Sequence, residues 1–185
     1  MIVFKDKDIS YVAIPMGIHE YSNKGFIDHE CEDNWLAFYT DDKEPTIIVG
    51  DVDNGRTFDI IRYSGICNNL KMTRDDLHKL KDKMKMVFEG TNVNVKKPNC
   101  NLYVMRENRI FEVNYIGSVM EVADFDTVCE SRQYGYAIYE NVKHIENIEE
   151  RVKTYYKHFG KAKAMETFPI VLLSTKNKMP VFITK

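Results

Sequence analysis

The stretch Arg109–Lys143, RIFEVNYIGSVMEVADFDTVCESRQYGYAIYENVK, decides how the chain is read. In its first half Ile110, Glu112 and Asn114 alternate with Phe111, Val113 and Tyr115, and the habit resumes after a turn at Ile116-Gly117-Ser118. Period two belongs to strands, whose successive side chains point to opposite faces, so this half predicts a β-hairpin. The second half places Tyr134, Ala137, Ile138 and Val142 at helical spacing. It starts just past Ser131, a residue able to cap a helix N-terminus. A hairpin therefore runs into an amphipathic helix, and the joint falls at Cys129-Glu130-Ser131.

Working outward towards the N-terminus, Leu102–Met105 starts a strand that turns through Arg106-Glu107-Asn108 into this stretch. Before it, Thr73-Arg74-Asp75-Asp76 resembles a capping box with Asp in place of Glu, and Leu77, Leu80, Met84, Val87 and Phe88 form an apolar stripe ending at Gly90. That spacing predicts a helix, with Thr91–Asn99 as a polar linker. Residues 53–65 read either as a tight turn at Asp53-Asn54-Gly55 or as a helix capped by Asp53, burying Phe58 and Ile61 and stopping at Gly65; the helix is preferred. Trp35–Tyr39 and Thr46–Val49 predict a hairpin, as do Ile2–Phe4 and Ile9–Ile14 around Lys5–Asp8. Towards the C-terminus, Asn147 caps a helix carrying Ile148, Val152, Tyr155 and Phe159. Pro169–Ser174 and Val181–Thr184 are the closing strands. Strands in runs, with helices grouped between them, indicate an α+β fold of two sheets faced by helix layers.

At 185 residues the expectation is one domain spanning 1–185. A 44% hydrophobic and 29% charged composition is that of a globular protein, and no run of about 18 apolar residues reads as a membrane span. No secretory signal is visible at the N-terminus, so the expected location is cytoplasmic. Net charge is −2, which supplies no broad positive field for nucleic acid. Lys71, Lys79, Lys81, Lys83, Lys85, Lys96 and Lys97 do crowd one region, but Asp75, Asp76, Asp82 and Glu89 interleave with them, the pattern of a solvated helix face.

The quoted stretch, from Ile110 to Lys143, is similar to the segment of proteasome β-type subunits in which two strands lead through a G-S-G loop into a helix containing Y-A-L. IEERVKTYYKHF resembles the next helix of that family and FPIVLLST the strand after it. NWLAFYTDD with TIIVG resembles the hairpin that ends in an oxyanion-hole glycine. The resemblance covers nearly the whole chain in element order and implies a four-layer αββα sandwich of proteasome type, the N-terminal-nucleophile hydrolase fold, which assembles into rings. It also implies a chemistry in which an N-terminal Thr, Ser or Cys attacks with its own α-amine as base. This chain departs from that pattern at each functional position. Met1-Ile2 stands where the nucleophile belongs, with no propeptide visible before it. Leu36 best matches the position of the family lysine and Ile18 that of the aspartate. Glu130 takes the place of the loop serine, with Ser131 one residue late; Gly50 keeps the oxyanion glycine.

The reading is therefore a catalytically inactive relative that acts by protein binding or self-assembly through its outer helices, with Tyr136 and Tyr156 as candidate interface residues because tyrosine is favoured at interfaces. The alternative is a peptidase or amidohydrolase with a relocated nucleophile, Cys129 or Ser131, since a helix N-terminus favours a thiolate. No cofactor is expected. No metal is expected either: Cys31, Cys67, Cys100 and Cys129 make no CxxC, and the ligand-rich run around His19, Glu20, Asp28, His29 and Cys31 matches no zinc spacing. Partners are expected to be another protein or further copies of the chain, with neither membrane nor nucleic acid.

Overall fold

The computed structural model describes residues 1–15, 21–22, 25–26, 35–40, 42–52, 61–90, 100–114, 118–127, 132–163 and 167–185. Strands β1 (Ile2–Asp6) and β2 (Ile9–Pro15) form the expected first hairpin, turning at Lys7-Asp8 with Lys7 at a φ of 54°. Two-residue strands β3 (Tyr21–Ser22) and β4 (Gly25–Phe26) pair with each other. Then come β5 (Trp35–Tyr39), β6 (Thr46–Val52), helix α1 (Arg74–Gly90), β7 (Cys100–Arg106) and β8 (Arg109–Asn114). The chain continues with β9 (Val119–Glu121), β10 (Phe125–Thr127), α2 (Arg132–Val142), α3 (Ile148–Lys163), β11 (Ile170–Ser174) and β12 (Asn177–Ile183).

Ten of these strands make two antiparallel sheets, ordered β10-β1-β2-β11-β12 and β5-β6-β7-β8-β9. Three buried clusters separate four layers. Ile2, Phe4, Ala13, Ile170 and Leu172 pack under α2 and α3, while Val3, Val12, Ile47, Val49, Tyr103 and Ile110 lie between the sheets. Ile48, Leu102, Val104, Phe111 and Val113 pack under α1 with Leu77, Leu80 and Met84. Neighbouring residues of one strand thus alternate between two different cores, so most sheet positions are apolar on both faces. The fold is α+β, arranged helix, sheet, sheet, helix.

The α1 cap forms with a difference. The Asp76 amide donates to Thr73 Oγ1 at 3.2 Å, but the Asp76 carboxylate accepts from the Lys71 amide, not from Thr73, at 2.7 Å. Asn147 caps α3 as expected, accepting from the Glu150 amide at 3.0 Å. Of the ambiguous segment, residues 61–63 are helical and Ile61 is buried, with Gly65 at a φ of 67° in the turn that follows; the Asp53 cap and Phe58 lie outside the described residues.

The stretch that opened the reading does more than form one hairpin. Its first strand, β8, pairs with β9 in one sheet, but the continuation, β10, pairs with β1 in the other: Ile2, Val3 and Phe4 face Thr127, Asp126 and Phe125. The chain changes sheets between Glu121 and Phe125. The buried face of α2 is also corrected. Gly135, Ile138, Tyr139 and Val142 are buried, whereas Tyr134 and Ala137 are exposed. A glycine carries no apolar signal, so sequence periodicity passes over Gly135, where an added Cβ would run into Thr127 of β10.

Candidate functional site

The alternation of β8 puts Glu112 on the same face as Ile110, and that face turns inward to the other sheet. The strand register sets one row across this face: Ala37, Val49, Tyr103, Glu112 and Met120, from β5 to β9. Its one charged member is Glu112 on β8, next to Met120 at the β9 end. Opposite that end stands Asp126 on the edge strand β10, and α2 covers the gap with Arg132, Tyr136 and Tyr139. Together they line a cavity of about 530 Å³, a volume suited to a small molecule or a side chain with some backbone.

Asp126 is the fixed point of the cavity floor. Its carboxylate accepts from Tyr103 Oη at 2.9 Å, from the Thr127 amide at 2.8 Å and from Tyr136 Oη at 3.2 Å; Tyr136 Oη also meets the Phe125 carbonyl at 3.1 Å. Glu112, only 7% exposed, is held less tightly. Arg132 Nη2 reaches Glu112 at 3.7 Å and Asp126 at 3.8 Å, longer than the 2.7–2.9 Å of a strong charge-assisted bond. Desolvation pushes the Glu112 carboxyl above its ordinary value, with Asp126 adding to the rise and Arg132 opposing it. Burial, with the negative neighbours Asp126 and Glu112, likewise pushes the Tyr103 phenol far up, so it stays a hydrogen-bond donor.

The head of β1 sits beside this cluster. Met1 is 6% exposed, its side chain packed in the core between the sheets, and its carbonyl accepts from Thr127 Oγ1 at 3.3 Å. Thr127 is the last residue of β10 and stands opposite Ile2 of β1. Cys129, Glu130 and Ser131 lie outside the described residues, as do Ile18 and the ligand-rich run from Asp28 to Asp33. Leu36 stands directly opposite Gly50, and Gly50 opposite Leu102.

Tyr136 is 42% exposed and lines the cavity. Tyr156 is not a surface residue. It is 2% exposed, and its hydroxyl donates to the Ala13 carbonyl at 2.8 Å. The reason is the seat of α3, which packs on both the sheet and α2 and so buries a wider arc than a single stripe: Val152, Tyr155 and Tyr156 together. Sequence reading missed Glu112 and Asp126 altogether. The available signal was a carboxylate in phase with Ile110 on a strand whose two faces are both needed for cores.

No family model and no curated protein sequence matches the chain. Solved structures do match it in shape. Anbu (ancestral beta-subunit) from Yersinia bercovieri superposes with a TM-score of 0.59 at 12% identity, covering 100% of this chain and 87% of its own. HslV from Trypanosoma brucei gives 0.59 at 8% identity, covering 94% and 97%. BPH from Thiobacillus denitrificans, solved in complex with epoxomicin, gives 0.57 at 10% identity, covering 100% and 98%. The chain has the proteasome-β-like, N-terminal-nucleophile hydrolase fold. At these identities the likeness extends to the fold and not to the chemistry. Among the described residues no helix is long and apolar enough to cross a membrane.

Proposed function

We propose that this proteasome-β-like chain is a non-catalytic protein, one domain over 1–185, that works by binding protein, either further copies of itself or a partner. The observation that carries the proposal is the buried methionine at the head of β1. A thioether cannot attack a carbonyl as a hydroxyl or thiol does, and this one fills core space where a nucleophile would need to meet substrate. Gly50 keeps its place, but an oxyanion hole with no nucleophile stabilises an intermediate that never forms.

The binding half of the proposal is supported by the edge strand β12. It exposes Met179 at 72% and Phe182 at 62% beside the half-covered Val181, apolar surface on an open sheet edge of the kind that pairs with another chain. Tyr136 on α2 adds a second exposed aromatic. The Yersinia protein that the chain resembles in shape is itself named an ancestral β-subunit.

Intact mass after incubation with an epoxyketone tests the catalytic half: no adduct is expected, and a covalent adduct would overturn it. If peptide hydrolysis is found and is lost in Cys129→Ala or Ser131→Ala, the relocated-nucleophile reading replaces it. Light scattering on the purified chain tests the binding half. A multimer weakened by Phe182→Glu supports self-assembly. A monomer unchanged by that substitution, and bound to nothing in a copurification, refutes it.

A further inference from the structure

The cavity between β9, β10 and α2 holds two buried carboxylates that share one distant cation. Asp126 has its hydrogen bonds supplied by Tyr103, Tyr136 and Thr127, but Glu112 faces the cavity with only Arg132 at 3.7 Å. Arg132 itself is half exposed at the mouth. One guanidinium against two buried carboxylates leaves a net negative charge at the base of a half-open cleft, an arrangement that costs free energy unless a cation enters. The rest of the wall adds no compensating charge, because Lys143 is paired with Glu140 and Glu121 with Arg109.

The wall also states what kind of cation fits. Phe125 stacks on Tyr139 with ring centroids 3.9 Å apart and meets Tyr136 edge-on at 5.1 Å, while Met120, half exposed, stands next to Glu112 in the strand register. Aromatic and thioether surface leading down to carboxylates suits an aliphatic stem with a charged head. Among the described residues no group of three His, Cys, Asp or Glu is placed to hold a metal ion.

We propose that this cavity binds an alkyl guanidinium or ammonium group, its head on Glu112 and Asp126 and its stem along Met120, Phe125 and Tyr136. The site is independent of whether the chain is catalytic. The same chemistry is offered by a free diamine or by the side chain of an arginine or lysine in a peptide.

The test is calorimetric titration of the full chain with agmatine, with N-acetyl-arginine methylamide and with an uncharged alkylurea of similar length. Both cations, or one of them, should bind and the urea should not. Tighter binding of the acetyl-arginine compound identifies a peptide side chain as the source, and tighter agmatine binding identifies a free small molecule. Glu112→Gln should weaken binding about tenfold, the loss of one close charge pair. Arg132→Met should strengthen it several-fold, because the internal competitor is removed; general damage to the fold would not produce that gain. Absence of binding by either cation at about 10 mM overturns the proposal, as does equal binding of the urea or a Glu112→Gln variant with unchanged affinity.

Discussion

Gly135→Ala sets two quantities of known size against each other. Alanine in a helix interior is favoured over glycine by about 1 kcal/mol, so on an exposed turn this change would stabilise the protein. Gly135 is buried, and a Cβ built there would stand 2.5 Å from Thr127 Cγ2 and 2.9 Å from Tyr155 Oη. Neither neighbour has room to withdraw. Thr127 is in register with Ile2 at the sheet edge, and Tyr155 is fully buried under α2. Overpacking of this kind costs roughly 1–3 kcal/mol, and with neighbours on two elements the upper half of that range applies. The net expectation is a loss of about 1–2 kcal/mol, or a fall in Tm of about 3–6 °C for a chain of this length. Urea unfolding followed by circular dichroism should show a lower midpoint at unchanged slope. Thr127→Ser removes the nearest atom and keeps the hydroxyl that donates to the Met1 carbonyl. In the alanine background it should recover about 1 kcal/mol, measured as a double-mutant coupling. A Gly135→Ala variant as stable as the parent, or more so, refutes the reasoning about how closely α2 lies on β10.

Three further outcomes are expected. Glu112 has a folded pKa raised above its ordinary 4.5, so the native state holds its proton more firmly than the unfolded chain, and the stability this confers is present below that value and lost as pH rises through the folded pKa. Urea midpoints from pH 4 upward should therefore show Glu112→Gln gaining on the parent with rising pH; a difference that does not vary with pH would refute the shift. Cys67 is buried and its thiol is pushed up to about 12, so iodoacetamide at pH 8 should label it only after unfolding, read by peptide mass, and rapid labelling of the native protein would refute its burial. Arg106 bonds the Leu70 carbonyl at 2.7 Å, Thr46 Oγ1 at 2.7 Å and the mostly buried Asp42 carboxylate at 3.0 Å. Arg106→Met removes the cation from Asp42, leaving that carboxylate only the Thr40 hydroxyl and the Asn69 amide, and takes a donor from Leu70 and Thr46; a loss of about 3 kcal/mol is expected in urea unfolding, with less than about 1 kcal/mol refuting a structural role for the network.

What the amino-acid order determined by itself was local. Period-two alternation marked β8, the two capping motifs marked the starts of α1 and α3, and the paired strands around Glu107-Asn108 and Lys7-Asp8 formed within a residue or two of where those patterns place them. Each such feature is settled by neighbours in the chain, which is why it can be read there. Partner choice at long range was not legible. The switch of β10 onto β1 follows from stacking two sheets whose edge strands, β9 and β10, are consecutive in the chain, and the burial of Tyr156 from a helix wedged between a sheet and another helix. The inward turn of Glu112 needs the same tertiary reason. On a sheet with water on one face the polar member of an alternating pair points outward. Here both faces of β8 are occupied, one by α1 and one by the opposite sheet, so the carboxylate had no solvent side to take. Only the stacking of the layers brought it to Asp126 and Arg132.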